Sequence, residues 1–217
     1  MSTVWYTSDV HLGHERAALS RGFARKDGSA DIEAHDAEVI GSLRGCVRKQ
    51  DTLYVLGDIA TGGFDRALEQ LRTIPGIKHL VSGNHDPVHP MHSTSAGALR
   101  QERWTSTFDS IQPFGRRVHR GAELEFYLSH FPYDGDNPRR AHADQPDRNP
   151  EWRLRDLGTT LVHGHTHDAT QRAHLSALGT PMVHVGWDAW QRPVNQDELI
   201  KYIKLARKMT VPEEVQA

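Results

Sequence analysis

Cysteine is almost absent from this 217-residue chain, where Cys46 stands alone. No internal disulfide can form, and a site built from several thiolates is excluded. Cys46 itself reads as a small, partly buried helical residue rather than a nucleophile. A basic excess is missing as well: 26 Lys and Arg face 28 Asp and Glu, for a formal net charge of −2. General nucleic-acid binding draws on a clear surplus of positive charge, so it is not expected here. Long apolar runs are also lacking, and no segment reads as a membrane span. The first strand-like run begins at Thr3, leaving no room ahead of it for a charged segment followed by an apolar one; a cytoplasmic location is expected.

What is present is a globular composition, 37% hydrophobic and 25% charged, of a length suited to one domain over 1–217. The unusual count is histidine, at 15. Imidazole is a common metal ligand and the usual acid or base near neutral pH, so the positions of these residues matter more than their number.

Short apolar runs at Val4–Thr7, Thr52–Leu56, Ile77–Val81, Glu125–Leu128, Thr160–Val162 and Met182–Val185 are bounded by Gly, Ser or Asp, as buried strands are. Helical spacing links Ile32, Asp36, Val39, Ile40, Leu43 and Val47, with only Asp36 polar; Phe64, Ala67, Leu68 and Leu71 repeat it before Pro75-Gly76. Strand, helix, strand, helix, strand up to Val81 indicates a parallel α/β unit. After about residue 110 strands dominate, including Ile111–Pro113 and Arg117–His119, which predicts a second sheet. A last helix is expected from Asn195 to Lys208, with Asn195 and Glu198 as a capping box. Val88–Arg103 and Asp134–Arg153 read as long loops.

Five of the strand-like runs end alike, with a small residue followed by metal-binding side chains: Ser8-Asp9-Val10-His11, Gly57-Asp58, Ser82-Gly83-Asn84-His85-Asp86, Ser129-His130 and Gly164-His165-Thr166-His167. In open α/β sheets ligands bind beyond the carboxyl ends of strands, so these segments can converge. A small residue ahead of each ligand lets backbone approach the site. Carboxylate, imidazole and amide oxygen without thiolate suit Mn²⁺, Fe²⁺, Zn²⁺, Ni²⁺ or Co²⁺. Two cations about 3.5–4 Å apart need an anion between them, and a carboxylate such as Asp58 can bridge both; hydroxide held by such a pair is available near neutral pH.

At these residues the sequence resembles the calcineurin-like metallophosphoesterase superfamily, whose pattern runs Asp-x-His, Gly-Asp, Gly-Asn-His-(Asp/Glu), His and Gly-His-x-His. All five blocks occur in order between residues 9 and 167. The resemblance implies an α/β fold, a four-layer α/β/β/α sandwich of two mixed β-sheets flanked by helices. It also implies roles. Asp9, His11 and His167 resemble ligands of one metal, Asn84, His130 and His165 those of a second, and Asp58 the bridge. His85 resembles the group that protonates the leaving alkoxide or steadies the phosphate, with Asp86 orienting it.

After Gly57-Asp58 the chain reads Ile59-Ala60, where protein phosphatases of that superfamily carry an arginine that grips phosphate. The likeness is therefore to compact bacterial and phage phosphodiesterases. It implies hydrolysis of small phosphodiesters, 2′,3′ or 3′,5′ cyclic nucleotides among them, with two divalent ions, Mn²⁺ foremost. A phosphomonoesterase or dinucleoside polyphosphate hydrolase would use the same ligands, and a catalytically silent scaffold would be expected to have lost some of them. His14 reads either as a surface histidine or as a residue at the mouth of the site, and Arg139 and Arg140 in the 134–153 loop either as candidate phosphate contacts or as part of a solvated charged loop. His184 reads as a core histidine, and Asp188 as a carboxylate able to hydrogen-bond a ligand imidazole. His35, His79, His89, His92, His119, His142 and His174 read as surface residues.

Overall fold

The structure, a computed structural model, describes residues 2–92, 102–134 and 149–210. Elements follow the chain as β1 (Val4–Thr7), α1 (Glu15–Ser20), α2 (Ile32–Cys46), β2 (Thr52–Val55), α3 (Phe64–Arg72), β3 (Ile77–Val81), β4 (Ser110–Gln112), β5 (Phe114–His119), β6 (Leu124–Ser129), β7 (Thr160–His163), β8 (Ala173–Leu175), β9 (Pro181–His184), α4 (Trp187–Trp190), β10 (Val194–Asn195) and α5 (Gln196–Ala206). They build two five-stranded sheets, β10-β1-β2-β3-β4 and β5-β6-β7-β9-β8. In the first, β1 to β4 run parallel and β10 antiparallel to β1. In the second, β6, β7 and β9 run parallel, with β5 and β8 antiparallel at the edges. Both sheets are mixed, and helices flank them, as the resemblance implied.

Alternation along the strands sorts the core. Leu53 and Val55 of β2 join Val39, Leu43, Leu68 and Leu71 in one apolar cluster, so α2 and α3 cover the outer face of the first sheet. Tyr6, Leu56 and Val81 turn the other way and meet Phe126, Leu128, Val162 and Val183 between the sheets. The apolar side of α5, Leu199 and Ile203, belongs to that second cluster. Asp31 caps α2 by accepting from the Ala34 amide. Asn195 caps α5 through the Glu198 amide, but the box is not reciprocal, because the Glu198 carboxylate is taken by Arg192 at 2.7 and 2.8 Å.

Parallel pairing has one consequence that matters most. The carboxyl ends of β1, β2, β3, β6, β7 and β9 lie at one end of the sandwich. There the sheets join: Ser8 bridges Gly186, and the Trp187 amide donates to the Ser8 carbonyl at 2.9 Å. Sequence reasoning placed those ends correctly and missed the short elements α1, β8, α4 and β10, which have too few residues to show a period. Among the described residues no helix is long and apolar enough to cross a membrane.

Candidate metal centre

Each loop beyond a strand end is held in register by its neighbour. Asp9, His11 and Leu12 donate their amides to the carbonyls of Gly57, Asp58 and Ile59, and Gly164 donates to His130. Within these loops the backbone is forced into the left-handed region at Asp9 (φ 55°), His11 (47°), Asp58 (54°), His165 (70°) and His167 (50°). Only eight non-glycine residues of the described chain hold positive φ, and five of them are these. Such conformations cost about 1–3 kcal/mol each, so their concentration in one place marks a site the rest of the fold enforces. The small residues next to them are required by space. A Cβ on Gly164 would overlap the Ser8 hydroxyl and lie 2.5 Å from Asp9 Oδ2, and one on Gly83 would collide with the Asp58 carboxylate.

The seven side chains converge as two sets of donor atoms. In one, Asn84 Oδ1 stands 3.0 Å from both His130 Nε2 and His165 Nδ1, which are 3.2 Å apart. In the other, His11 Nε2 and His167 Nε2 are 3.0 Å apart, with Asp9 Oδ1 3.6 Å from the latter. Ligand atoms bound at about 2.1 Å and set at right angles stand about 3.0 Å apart, so both sets have the spacing of a coordination shell. Asp58 Oδ2 lies between them, 3.4 Å from His130 Nε2 and 3.8 Å from His11 Nε2.

The orientation of the rings points the same way. A carbonyl only accepts, so His130 Nδ1–H donates to Leu56 O at 2.8 Å and its Nε2 lone pair faces the Asn84 oxygen. His167 Nδ1–H likewise donates to Asp188 at 2.8 Å, turning Nε2 inward. Lone pairs facing each other at 3.0 Å repel unless a positive charge sits between them. The electrostatics register that demand. Burial works against charge at His130, yet the Asp58 carboxylate raises it to about 9; burial likewise opposes charge at His167, and Asp188 and Asp9 still raise it. Burial, against the pull of Asp58, pushes His11 down to about 3 and leaves it a neutral donor. Asp58 is held well below the usual carboxylate range, against its burial, by His130 and His11. A divalent cation meets this demand better than a proton. Asp9 Oδ1, the carboxylate oxygen of the second set, is buried and has no hydrogen-bond partner among the described residues.

Not every expected role fits the geometry. Asp86 does not reach the His85 ring. Its carboxylate accepts the amides of Asp58, Ile59 and Gly83 at 2.8–3.1 Å and so ties the β2 loop to the β3 loop. His85 is half exposed at the rim, its Nε2 4.0 Å from Asp58 Oδ2 and its amide fixed to Asp58 Oδ1. His14 lies beside His11, the ring centroids 5.3 Å apart and the planes inclined at 45°. Arg139, Arg140 and His142 lie outside the described residues.

Two of the expected surface histidines are buried. His35 lies against Arg21 and Asp36, and His89 stands edge-on to Phe131 and Trp152. His79, His119 and His174 are half-buried. Arg21 was missed altogether, since no motif surrounds it. The one available signal was Asp36, a charge on the apolar stripe of α2 that needs a buried partner.

A sequence model of the calcineurin-like phosphoesterase family matches residues 2–169. The Gene 66 protein of Mycobacterium phage L5 is 39% identical over 207 residues, covering 92% of this chain and 93% of that protein. Its counterpart in Mycobacterium phage D29 is 38% identical over 205 residues, covering 92% and 94%. Among solved structures, AQ665 from Aquifex aeolicus, a protein of unknown function, aligns with a TM-score of 0.61 at 22% identity, covering 93% of this chain and 99% of that one. That last likeness is one of fold.

Proposed function

Because the chain belongs to the calcineurin-like phosphoesterase family, whose chemistry is metal-dependent phosphoester hydrolysis, we propose that it is a phosphodiesterase for small substrates, cyclic nucleotides among them. Asp9, His11 and His167 would hold one divalent cation, Asn84, His130 and His165 a second, and Asp58 would touch both. Nitrogen and oxygen donors without thiolate suit Mn²⁺, with Fe, Zn, Ni or Co able to compete according to supply. When bound, the cations supply Lewis-acid chemistry, neutralising phosphate charge and making water acidic enough to attack near neutral pH.

The protein's own share is positioning and proton transfer. His85 is accessible to a leaving alcohol, and the bond from its amide to Asp58 fixes its backbone relative to the β2 loop. A proton held at His85 Nε2 is placed for delivery to the departing oxygen. His14, half-buried beside His11, borders the same opening. Ile59 and Ala60 are fully buried where an arginine would grip a phosphorylated protein, so that position offers no cation to a monoester dianion. A diester carries one negative charge fewer and asks less of the outer pocket.

The observation that carries this reading is the convergence of seven donor side chains, five of them on left-handed backbone, into two shells that share Asp58. The test is a comparison of rates on bis-p-nitrophenyl phosphate, p-nitrophenyl phosphate and both kinds of cyclic nucleotide, with Mn²⁺ and with chelator. Diesters are expected to be faster than the monoester, and chelator to abolish turnover. A preference for the monoester would replace the diester reading, and turnover unaffected by chelator would remove the metals.

A further inference from the structure

Arg21 ends α1 with its side chain only 6% exposed, directly behind the ligand loops. A guanidinium has five N–H groups, and here each has an acceptor. Nε donates to Asp188 Oδ1 at 3.0 Å and Nη2 to Asp188 Oδ2 at 2.9 Å, a two-point grip on one carboxylate. Nη2 also donates to the Asp9 carbonyl at 2.7 Å, and Nη1 to the Val10 carbonyl at 3.0 Å. The fifth bond, Nη1 to His35 Nε2 at 3.0 Å, extends the network. His35 Nδ1 then faces Asp36 Oδ1 at 3.0 Å, and the Asp36 carboxylate accepts the Gly13 amide at 3.0 and 3.2 Å.

These contacts bear on one of the two donor sets. The carbonyls that Arg21 holds belong to Asp9 and to Val10, in the loop whose left-handed residues are Asp9 and His11. Asp36 holds the same loop from beyond His11, at Gly13. Asp188, oriented by Arg21, orients His167 in turn. Asp9, His11 and His167 are thus all reached through Arg21 and its partners. None of the five Arg21 bonds goes to Asn84, His130 or His165, whose donor atoms face one another at 3.0–3.2 Å.

We propose that Arg21 is a positioning residue for one cation of the pair, its five hydrogen bonds fixing the Asp9–His11 loop and the His167 ring and none of them reaching Asn84, His130 or His165 directly. The proposal rests on the metal reading given above. Lysine can neither span both Asp188 oxygens nor reach two carbonyls at once, so Arg21→Lys keeps the charge and removes the fork.

The experiment is Mn²⁺ titration of the full chain, followed by the electron paramagnetic resonance signal of free Mn²⁺, for wild type and Arg21→Lys. The wild type should bind two equivalents. In Arg21→Lys one equivalent should weaken about 10- to 100-fold, the range for loss of a group that orients a metal ligand, while the other is unchanged. A purely structural role would lower thermal stability and move both equivalents or neither, and either result overturns the assignment. A wild type that binds no Mn²⁺ overturns the metal reading itself, and this proposal with it. If Arg21→Lys lacks the wild-type circular dichroism spectrum, His35→Leu carries the test: it leaves the guanidinium in place with one N–H unpaired. Weakening of a single equivalent supports the assignment, and unchanged binding overturns it.

Discussion

Gly83→Ala isolates the claim that close backbone approach builds the site. Gly83 holds an ordinary φ, so alanine brings no conformational penalty, only a Cβ. That Cβ would overlap Asp58 Oδ1 and stand 2.8 Å from both the Asp58 amide nitrogen and His130 Nδ1. Neither nitrogen can yield at low cost, because the amide is bonded to Asp86 at 3.0 Å and the imidazole to Leu56 O at 2.8 Å. Relief therefore requires the β2 and β3 loops to part by about half an ångström, with the strain of an overpacked core, about 1–3 kcal/mol. For a chain of this length that lowers Tm by about 2–12 °C. The same shift separates Asp58 from His130, and displacement of this order costs up to about 100-fold in turnover. Gly41→Ala is the control: it sits exposed within α2 with nothing within 4 Å of the new Cβ, and should raise stability by about 0.5–1 kcal/mol. Thermal unfolding and hydrolysis of bis-p-nitrophenyl phosphate with Mn²⁺ read both effects. A Gly83→Ala protein with wild-type Tm and rate would refute the reasoning.

Two further outcomes are expected. His85→Asn should keep wild-type Mn²⁺ binding and lose about 10²- to 10⁴-fold in turnover, as for removal of a proton donor; unchanged turnover takes His85 out of the mechanism. His184 is fully buried with neither ring nitrogen hydrogen-bonded among the described residues, and burial lowers it to about 4. The unfolded chain takes up that proton near pH 6.5 and the folded one only near 4, so stability is whole above 6.5 and lost as pH falls through that window. At about 1.4 kcal/mol per unit this is about 3 kcal/mol as an upper bound, and His184→Met should flatten the acid limb of a denaturation series accordingly; an unaltered slope would mean that His184 does not titrate as described.

The parts of this site that were legible in the sequence are those that depend on residue type and order. Asp9, His11, Asp58, Asn84, His130, His165 and His167 follow strand ends, and parallel pairing sends strand ends to one edge whatever the details of packing. The small residues ahead of them were legible for the same reason, since a crowded site leaves no room for a Cβ. The support behind these candidate ligands was not legible. Arg21 and His35 have no motif, and their burial depends on how α1 and α2 lie against the Asp9 loop, a tertiary fact without local signature. Asp86 was read as a partner of its neighbour His85, yet a β3 loop that turns sharply points its carboxylate at three amides instead. The left-handed φ angles at Asp9, His11, Asp58, His165 and His167 had no signal either, because Asp and His tolerate that region without requiring it.

The most direct test of the account is anomalous diffraction at the manganese edge from crystals grown with Mn²⁺. Two peaks are predicted, one among Asp9, His11 and His167 and one among Asn84, His130 and His165, with the Asp58 carboxylate between them. Density for no metal at these side chains, or for a metal bound elsewhere, would contradict it.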